Sequence, residues 1–350
     1  MDISYYKRFE PIDGKWYFLR ELGAGSYGSV YEVERRDFSN NKAAMKIVSI
    51  PSSEKELMSY RSDNPGVTGK QISDYFYGFV REFINEFQIM EKVKGNSYIV
   101  SYEDHEVKPK VGTIGWDIFI RMELLTPLNA YMATRSVTRE LVIKLGIDIC
   151  RALEICQQNN IIHRDIKPGN IFVSKTGDFK LGDFGVARIV DGRNEFMSRK
   201  GTYIYMAPEV YYNKRYGMNV DMYSLGIVLY KFLNNNFEPF RTARTSDDAQ
   251  YALDRRVRGE TFPMPKFGDP EIMRVIMKAC HYNPNMRYQT AREMRKDLEA
   301  LLDDTTTVGR YHTPPPRPAY TPPTPPLPRD PSPKPKSSTG SPWFKKAGDL

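Results

Sequence analysis

One polar stretch constrains this chain more than any other. It is His163-Arg164-Asp165-Ile166-Lys167-Pro168-Gly169-Asn170, with Asp183-Phe184-Gly185 beginning thirteen residues after Asn170. Two carboxylates, an amide and a lysine fall within a short length of chain. A base and two hard oxygen ligands near one point are what phosphoryl transfer needs. Each tripeptide alone is weak, because an isolated Asp-Phe-Gly is usually a turn and an isolated His-Arg-Asp arises by chance. In this order and at this spacing the compound is a strong signal.

Other parts of the same pattern lie on either side. Leu22-Gly23-Ala24-Gly25-Ser26-Tyr27-Gly28-Ser29-Val30 fits G-x-G-x-x-G-x-V, Ala44-Met45-Lys46 stands in the place of A-x-K, and Ala207-Pro208-Glu209 follows the Asp-Phe-Gly block. From about Gly14 to Leu302 the chain resembles the eukaryotic-type serine/threonine protein kinases. The phrases Lys200-Gly201-Thr202-Tyr203-Ile204-Tyr205-Met206-Ala207-Pro208-Glu209 and Asp221-Met222-Tyr223-Ser224-Leu225-Gly226 are most similar to bacterial members. The resemblance implies a two-lobed α+β fold, with a small β-rich N-lobe carrying one helix (helix C) and a larger, mainly helical C-lobe. It divides the chain into an N-terminal segment 1–13, a kinase domain 14–302 and a tail 303–350.

The residue pattern agrees with that order, strands first and mostly helices after. Trp16, Phe18, Val30, Tyr31, Val33, Ala44, Ile47 and Val48 predict strands over 16–33 and 42–50 around a glycine-rich turn. Residues 51–70 are polar, contain Asn64-Pro65-Gly66 and read as a loop. Phe76, Phe79, Phe83, Phe87 and Met90 recur at intervals of three and four, which predicts one face of a helix starting near Ser73. That stripe is core against the sheet, with a surface for homodimerisation or regulation as the alternative. Residues 118–125 read as a buried strand, and Leu141, Leu145, Ile149, Leu153 and Cys156 mark a long helix ending before Asn159-Asn160. Residues 222–233 are apolar on nearly all sides, as a central buried helix is.

After Leu302 the composition breaks. Thirteen of the 25 prolines fall between Pro314 and Pro342, and such a segment holds too little apolar area to offset its ordering entropy. It reads as a disordered or polyproline II linker, with a docking arm for an SH3-like partner as the alternative. In many bacterial relatives a segment of this kind joins the kinase to a membrane span. No apolar run of about 20 residues occurs here, so the reading is a soluble form or a chain that stops short. From Thr305 onward seven basic residues stand against two acidic ones, so the tail supplies +5 of the net +8. A basic linker explains that charge without a nucleic-acid partner. Cys150, Cys156 and Cys280 form no C-x-x-C pair, which argues for a reduced compartment and against a zinc site. The N-terminus lacks the basic and apolar regions of a signal peptide. A cytoplasmic protein is expected, at the cytoplasmic face of a membrane if the native chain continues beyond 350.

The roles of individual residues come from the resemblance; physical chemistry explains why the residue types fit. The transition state of phosphoryl transfer spreads negative charge over the moving group, so positioning and charge stabilisation dominate. Leu22, Gly23, Ala24, Gly25, Ser26, Tyr27, Gly28 and Val30 would cover ATP, the glycines letting the backbone close on the phosphates. Ala44 and the hinge residues Glu123 and Leu125 would complete the nucleotide pocket. Lys46 would hold the α- and β-phosphates, paired with Glu86 from the run Glu86-Phe87-Gln88-Ile89-Met90; Glu82, one turn earlier, is the rival. Asp183 and Asn170 would ligate Mg2+, with Mn2+ as a substitute. Asp165 would accept the proton of the substrate hydroxyl, and Lys167 would neutralise the transferred phosphate. Lys167 and Thr202 together imply serine/threonine specificity and protein substrates. His163, Asp221 and a Glu209–Arg287 pair are implied to be structural. Arg164 implies control by phosphorylation of the activation segment, with Ser198 the favoured acceptor.

Two other functions compete. A pseudokinase scaffold would lack Lys46, Asp165 or Asp183, and all three are present. A small-molecule phosphotransferase would lack the Ala-Pro-Glu closure. The chain departs from the family pattern at Gly95-Asn96-Ser97-Tyr98-Ile99-Val100, which loosens the register of helix C, and in the long 51–70 segment, which implies N-lobe contacts different from those of relatives.

Overall fold

The computed structural model describes residues 3–25, 28–37, 41–184, 188–189 and 203–303, without the side chains of 85, 86, 89, 188, 189 and 303. Its first part contains helix α1 (Ile3–Lys7), strands β1 (Trp16–Gly25), β2 (Gly28–Arg35) and β3 (Lys42–Ile50), helices α2 (Glu54–Asp63) and α3 (Gly69–Val93), and strands β4 (Tyr102–Pro109) and β5 (Trp116–Met122). The strands form one antiparallel sheet in the order β1-β2-β3-β5-β4. Alternation along β3 sorts its side chains. Ala43, Met45 and Ile47 join Phe18, Tyr31, Val33 and Phe119 on one face, whereas Val48 packs with Val80, Phe87, Ile118 and Ile120 on the other. Lys46 therefore shares the face that meets α3.

The opposite face is closed by the N-terminus. Tyr6 is buried, with its ring against Phe18, Tyr31 and Phe119. Residues that the resemblance leaves outside the kinase domain thus complete the core of this lobe. A five-residue helix is too short to show periodicity, so only its aromatics could have hinted at it.

Helix α3 begins at Gly69, earlier than the aromatic stripe suggests, because Thr68 and Gln71 form a reciprocal capping box. Ile72, Phe76, Val80 and Phe87 are buried, but Phe79 is 42% exposed and leaves the expected core face. The buried line advances by fours, and Phe79 falls one position off it. The preceding stretch, read as a loop, contains α2, capped by Ser53 and docked through buried Leu57 and half-buried Tyr60. One buried residue in ten gives no period to read.

The second part contains β6 (Thr126–Pro127), α4 (Leu128–Ala133), α5 (Arg139–Gln158), β7 (Ile161–Ile162), β8 (Ile171–Val173), β9 (Phe179–Leu181), β10 (Arg188–Ile189), α6 (Pro208–Tyr211), α7 (Asn219–Leu233), α8 (Ser246–Val257), α9 (Pro270–Ala279) and α10 (Ala291–Asp303). Helix α5 ends where the sequence places its stop, with Asn159 at the cap and Asn160 left-handed at φ +57°. Helix α7 is buried along nearly its whole length, as expected of a central helix. At Gly146 of α5 a Cβ would lie 2.7 Å from Leu298 and 3.2 Å from Leu229, so glycine is what lets α5 approach α10 and α7.

Short strands position the polar blocks. Strands β8 and β9 pair with Ile171 opposite Leu181, and the Gly182 N–H donates to the Asn170 carbonyl at 2.8 Å. This hairpin sets residue 170 beside residue 183.

Candidate active site

The loop from β7 to β8 carries Asp165, Lys167 and Asn170, and it is built on strained backbone. Arg164 (φ +68°) and Asp183 (φ +59°) both occupy the left-handed region, at a cost of order 1–3 kcal/mol each for a non-glycine residue. Asp221 of α7 holds the first of these, since its carboxylate accepts the N–H groups of His163 and Arg164, both at 2.8 Å. Burial pushes the Asp221 carboxyl up, and these two donors act against that shift. His163 is fully buried; its Nδ1 faces the Asp165 N–H at 3.3 Å and its Nε2 faces the Gly182 carbonyl at 3.0 Å. The Asp165 N–H donates to Nδ1, and Nε2 meets the Gly182 carbonyl. The Phe184 ring packs against it at 4.8 Å. His163 and Asp221 therefore hold the loop rather than meet a ligand.

Asp165 is 2% exposed. Its Oδ2 accepts from Lys167 Nζ at 2.7 Å and from Asn170 Nδ2 at 2.8 Å, and Asn170 Nδ2 also reaches the Asp165 carbonyl at 2.9 Å. The other oxygen, Oδ1, is buried and has no hydrogen-bond partner among the described residues. An unsatisfied buried acceptor costs about 1–3 kcal/mol, so the site calls for an incoming donor.

Asp183 Oδ1 accepts from Lys46 Nζ at 2.5 Å. Burial alone would raise the Asp183 carboxyl, but the Lys46 charge and hydrogen bond, with Lys167, outweigh it and hold the group below its usual range. It is thus ionised near neutral pH. Asn170 uses its amide nitrogen on Asp165, which leaves its amide oxygen for a cation. That oxygen and the second oxygen of Asp183 suit magnesium, which binds through one or two protein oxygens together with substrate phosphates. Among the described residues no cluster of three or more His, Cys, Asp or Glu could form an all-protein cage.

The nucleotide side follows from strand register. Val30 stands opposite Lys46, and Ala44 opposite Met122. Gly28 has φ +136°, and a Cβ there would collide with the Ile47 carbonyl, so the sheet itself demands this glycine. Gly25 pairs with Gly28 across the turn, Gly23 has open space around it, and Leu22 and Ala24 are exposed. Ser26, Tyr27, Gly185, Ser198, Thr202 and the side chain of Glu86 lie outside the described residues. Glu82, the rival partner for Lys46, is exposed.

The hinge shows what sequence reasoning missed. The Glu123 carboxylate accepts from Lys180 Nζ at 2.8 and 3.0 Å and from the Ser101 N–H at 2.6 Å. Its side chain braces the hinge, and its carbonyl is what remains for a ligand. Lys180 is 57 residues away, and no local pattern announces the pair. Leu125 carries no backbone hydrogen bond among the described residues, so its N–H and C=O are free to meet a base.

Below the site, Ser224 of α7 donates to the Tyr205 carbonyl at 2.7 Å, and Glu209 meets Arg287 through two bonds of 2.6 and 2.8 Å. These contacts fix the Ala207-Pro208-Glu209 segment to the helical core.

Comparison with known proteins agrees with this geometry. Residues 16–298 match the protein kinase domain family. Serine/threonine-protein kinase PknB of Mycobacterium tuberculosis is 32% identical over 227 residues, covering 63% of this chain and 36% of that protein. A probable serine/threonine-protein kinase of Streptomyces coelicolor is 34% identical over 177 residues (48% of this chain, 25% of that protein), and one of Clostridium perfringens is 35% identical over 171 residues (47% and 24%). The chain thus aligns with about a third or less of the length of these relatives. No helix among the described residues is long and apolar enough to cross a membrane. A match over most of the chain, on a sheet and helix arrangement that brings Lys46 to Asp183 and Asp165 to Asn170, leaves one assignment: this chain belongs to the protein kinase domain family.

Proposed function

We propose that the chain is an ATP-dependent protein serine/threonine kinase, with residues 14–302 as its catalytic unit. The observation that carries this reading is the buried, unpartnered Oδ1 of Asp165, beside an oxygen already held by Lys167 and Asn170. A serine or threonine hydroxyl of a protein substrate supplies the missing donor. Its oxygen bonds to the γ-phosphorus as the bond to the bridging oxygen of ADP breaks, and its proton passes to Asp165. Lys167, 2.7 Å from Asp165, offsets charge on the phosphoryl group in transit, and Lys46 holds the α- and β-phosphates. Asn170 and Asp183 would hold magnesium, which would supply positive charge against the phosphates. Ala44, Val30, Leu22 and the backbone of Glu123 and Leu125 enclose the base. Lys167 and the names of the relatives support serine and threonine as acceptors.

The test is intact-mass analysis and peptide mapping after incubation with Mg-ATP, with Lys46→Met as control. Phosphate on serine or threonine in the wild type and none in the control is expected. Phosphate on tyrosine alone, or equal incorporation in both proteins, refutes the reading.

A further inference from the structure

A cavity of about 700 Å³ lies at the hinge end of the sheet, a volume in the range of small-molecule pockets. Strand register places its N-lobe wall on the face opposite to Lys46. Trp16 packs on that face, Arg35 stands across from Trp16, and Arg121 stands across from Met45 of the same face. Lys175, in the turn between β8 and β9, adds a wall from the second part of the molecule. Three cations thus border one cavity, and each keeps donors to spare. Arg121 lies over the Trp16 ring at 4.7 Å and gives Nε and Nη2 to Asp104, which leaves Nη1. Arg35 meets Asp37 through Nε, which leaves both Nη groups. Lys175 is exposed and makes no ion pair among the described residues. The other charged groups of the lining are Lys42, Glu123 and Glu103. Lys42 is held by Glu32 at 2.7 Å and Glu123 by Lys180 at 2.8 Å. Glu103 is therefore the one lining carboxylate without an ion pair among the described residues.

We propose that this cavity binds a small organic ligand with two anionic groups, carboxylate or phosphate, one at Arg35 and Arg121 and the other at Lys175. The spare groups are all donors, which suits acceptor-only oxyanions, and guanidinium forks match both kinds. Asp37 and Asp104 already offset the two arginines, so direct N–H bonds hold the first group and the ammonium of Lys175 attracts the second. The arginines belong to the sheet and Lys175 to the β8–β9 turn, so the ligand spans the two lobes behind the hinge. It leaves the nucleotide cleft, on the Lys46 face, free.

The test is calorimetric titration of the wild-type protein with succinate and with fructose 1,6-bisphosphate, at constant ionic strength and with a non-hydrolysable ATP analogue filling the nucleotide cleft. Saturable binding of either probe is expected, and the tighter one names the anionic group. Acetate and inorganic phosphate, with one such group each, should bind at least about tenfold more weakly, since neither can span the site. Lys175→Ala should weaken the better probe about fivefold, the effect of one charge at contact distance in water, and Glu103→Gln should tighten it. Both positions are exposed, so neither change threatens the fold. A crystal soaked in that probe should show it between the Arg121 guanidinium and Lys175. Saturable binding by neither probe, affinity indifferent to Lys175→Ala, or density for the probe only elsewhere overturns the proposal.

Discussion

Replacing Arg287 by methionine is expected to destabilise this protein by about 3–5 kcal/mol, because it strands the Glu209 carboxylate in the interior. The Arg287 side chain has no exposed surface and Glu209 has 6%. The guanidinium makes both bonds to Glu209 and also donates to the His281 carbonyl at 2.7 Å and the Tyr282 carbonyl at 3.3 Å. At roughly 2 °C per kcal/mol for a domain of this size, the loss corresponds to ~6–10 °C in melting temperature. Glu209→Met alone leaves the opposite charge unpaired and should cost a similar amount. Removing both partners leaves no buried charge, so the double variant should lose only about 1–2 kcal/mol, chiefly from the two carbonyls. Urea unfolding of the four proteins measures the coupling, expected at more than ~2 kcal/mol. Additive losses would refute the buried-pair reasoning, as would a single-variant loss under ~1 kcal/mol.

Tyr6→Ala is expected to cost about 3–5 kcal/mol, the usual range for truncating a buried aromatic, since Tyr6 is 3% exposed among Phe18, Tyr31 and Phe119; thermal melting checks it, and an unchanged midpoint would show that the N-terminus is dispensable to the lobe. Stability should also decline in acid through Glu238. Burial alone would raise its carboxyl, but Lys231 and then Arg241 hold it below the usual range. A carboxyl with a lowered folded-state value stabilises the fold above its unfolded value of about 4 and loses that contribution as pH falls through the folded value. Glu238→Gln should therefore flatten the fall in stability below about pH 4; unfolding midpoints across that range decide, and an unaltered slope contradicts the assignment.

The chemistry was legible in the sequence because it is local. Asp165, Lys167 and Asn170 sit on one loop, and a short hairpin carries the chain from Asn170 to Asp183, so order and spacing already imply their meeting. The strand–helix order and the stop of α5 at Asn159 were legible for the same reason. What escaped was long in range or short in length. The Lys46–Asp183 contact spans 137 residues and the Glu123–Lys180 bond 57, and neither leaves a periodic trace. Helices α1 and α2 bury too few residues to register as amphipathic. Phe79 shows the limit of counting threes and fours, since one residue off the buried line faces solvent.

Single-turnover phosphoryl transfer by Asp165→Asn tests the central assignment most directly. The variant keeps the shape of the loop and removes the acceptor, so the transfer rate to a serine or threonine peptide should fall by about 10²–10⁴, the range for losing a general base. Nucleotide affinity should be retained, because Lys46 and Asp183 are untouched. Transfer at the wild-type rate would contradict the role given to the unpartnered oxygen of Asp165.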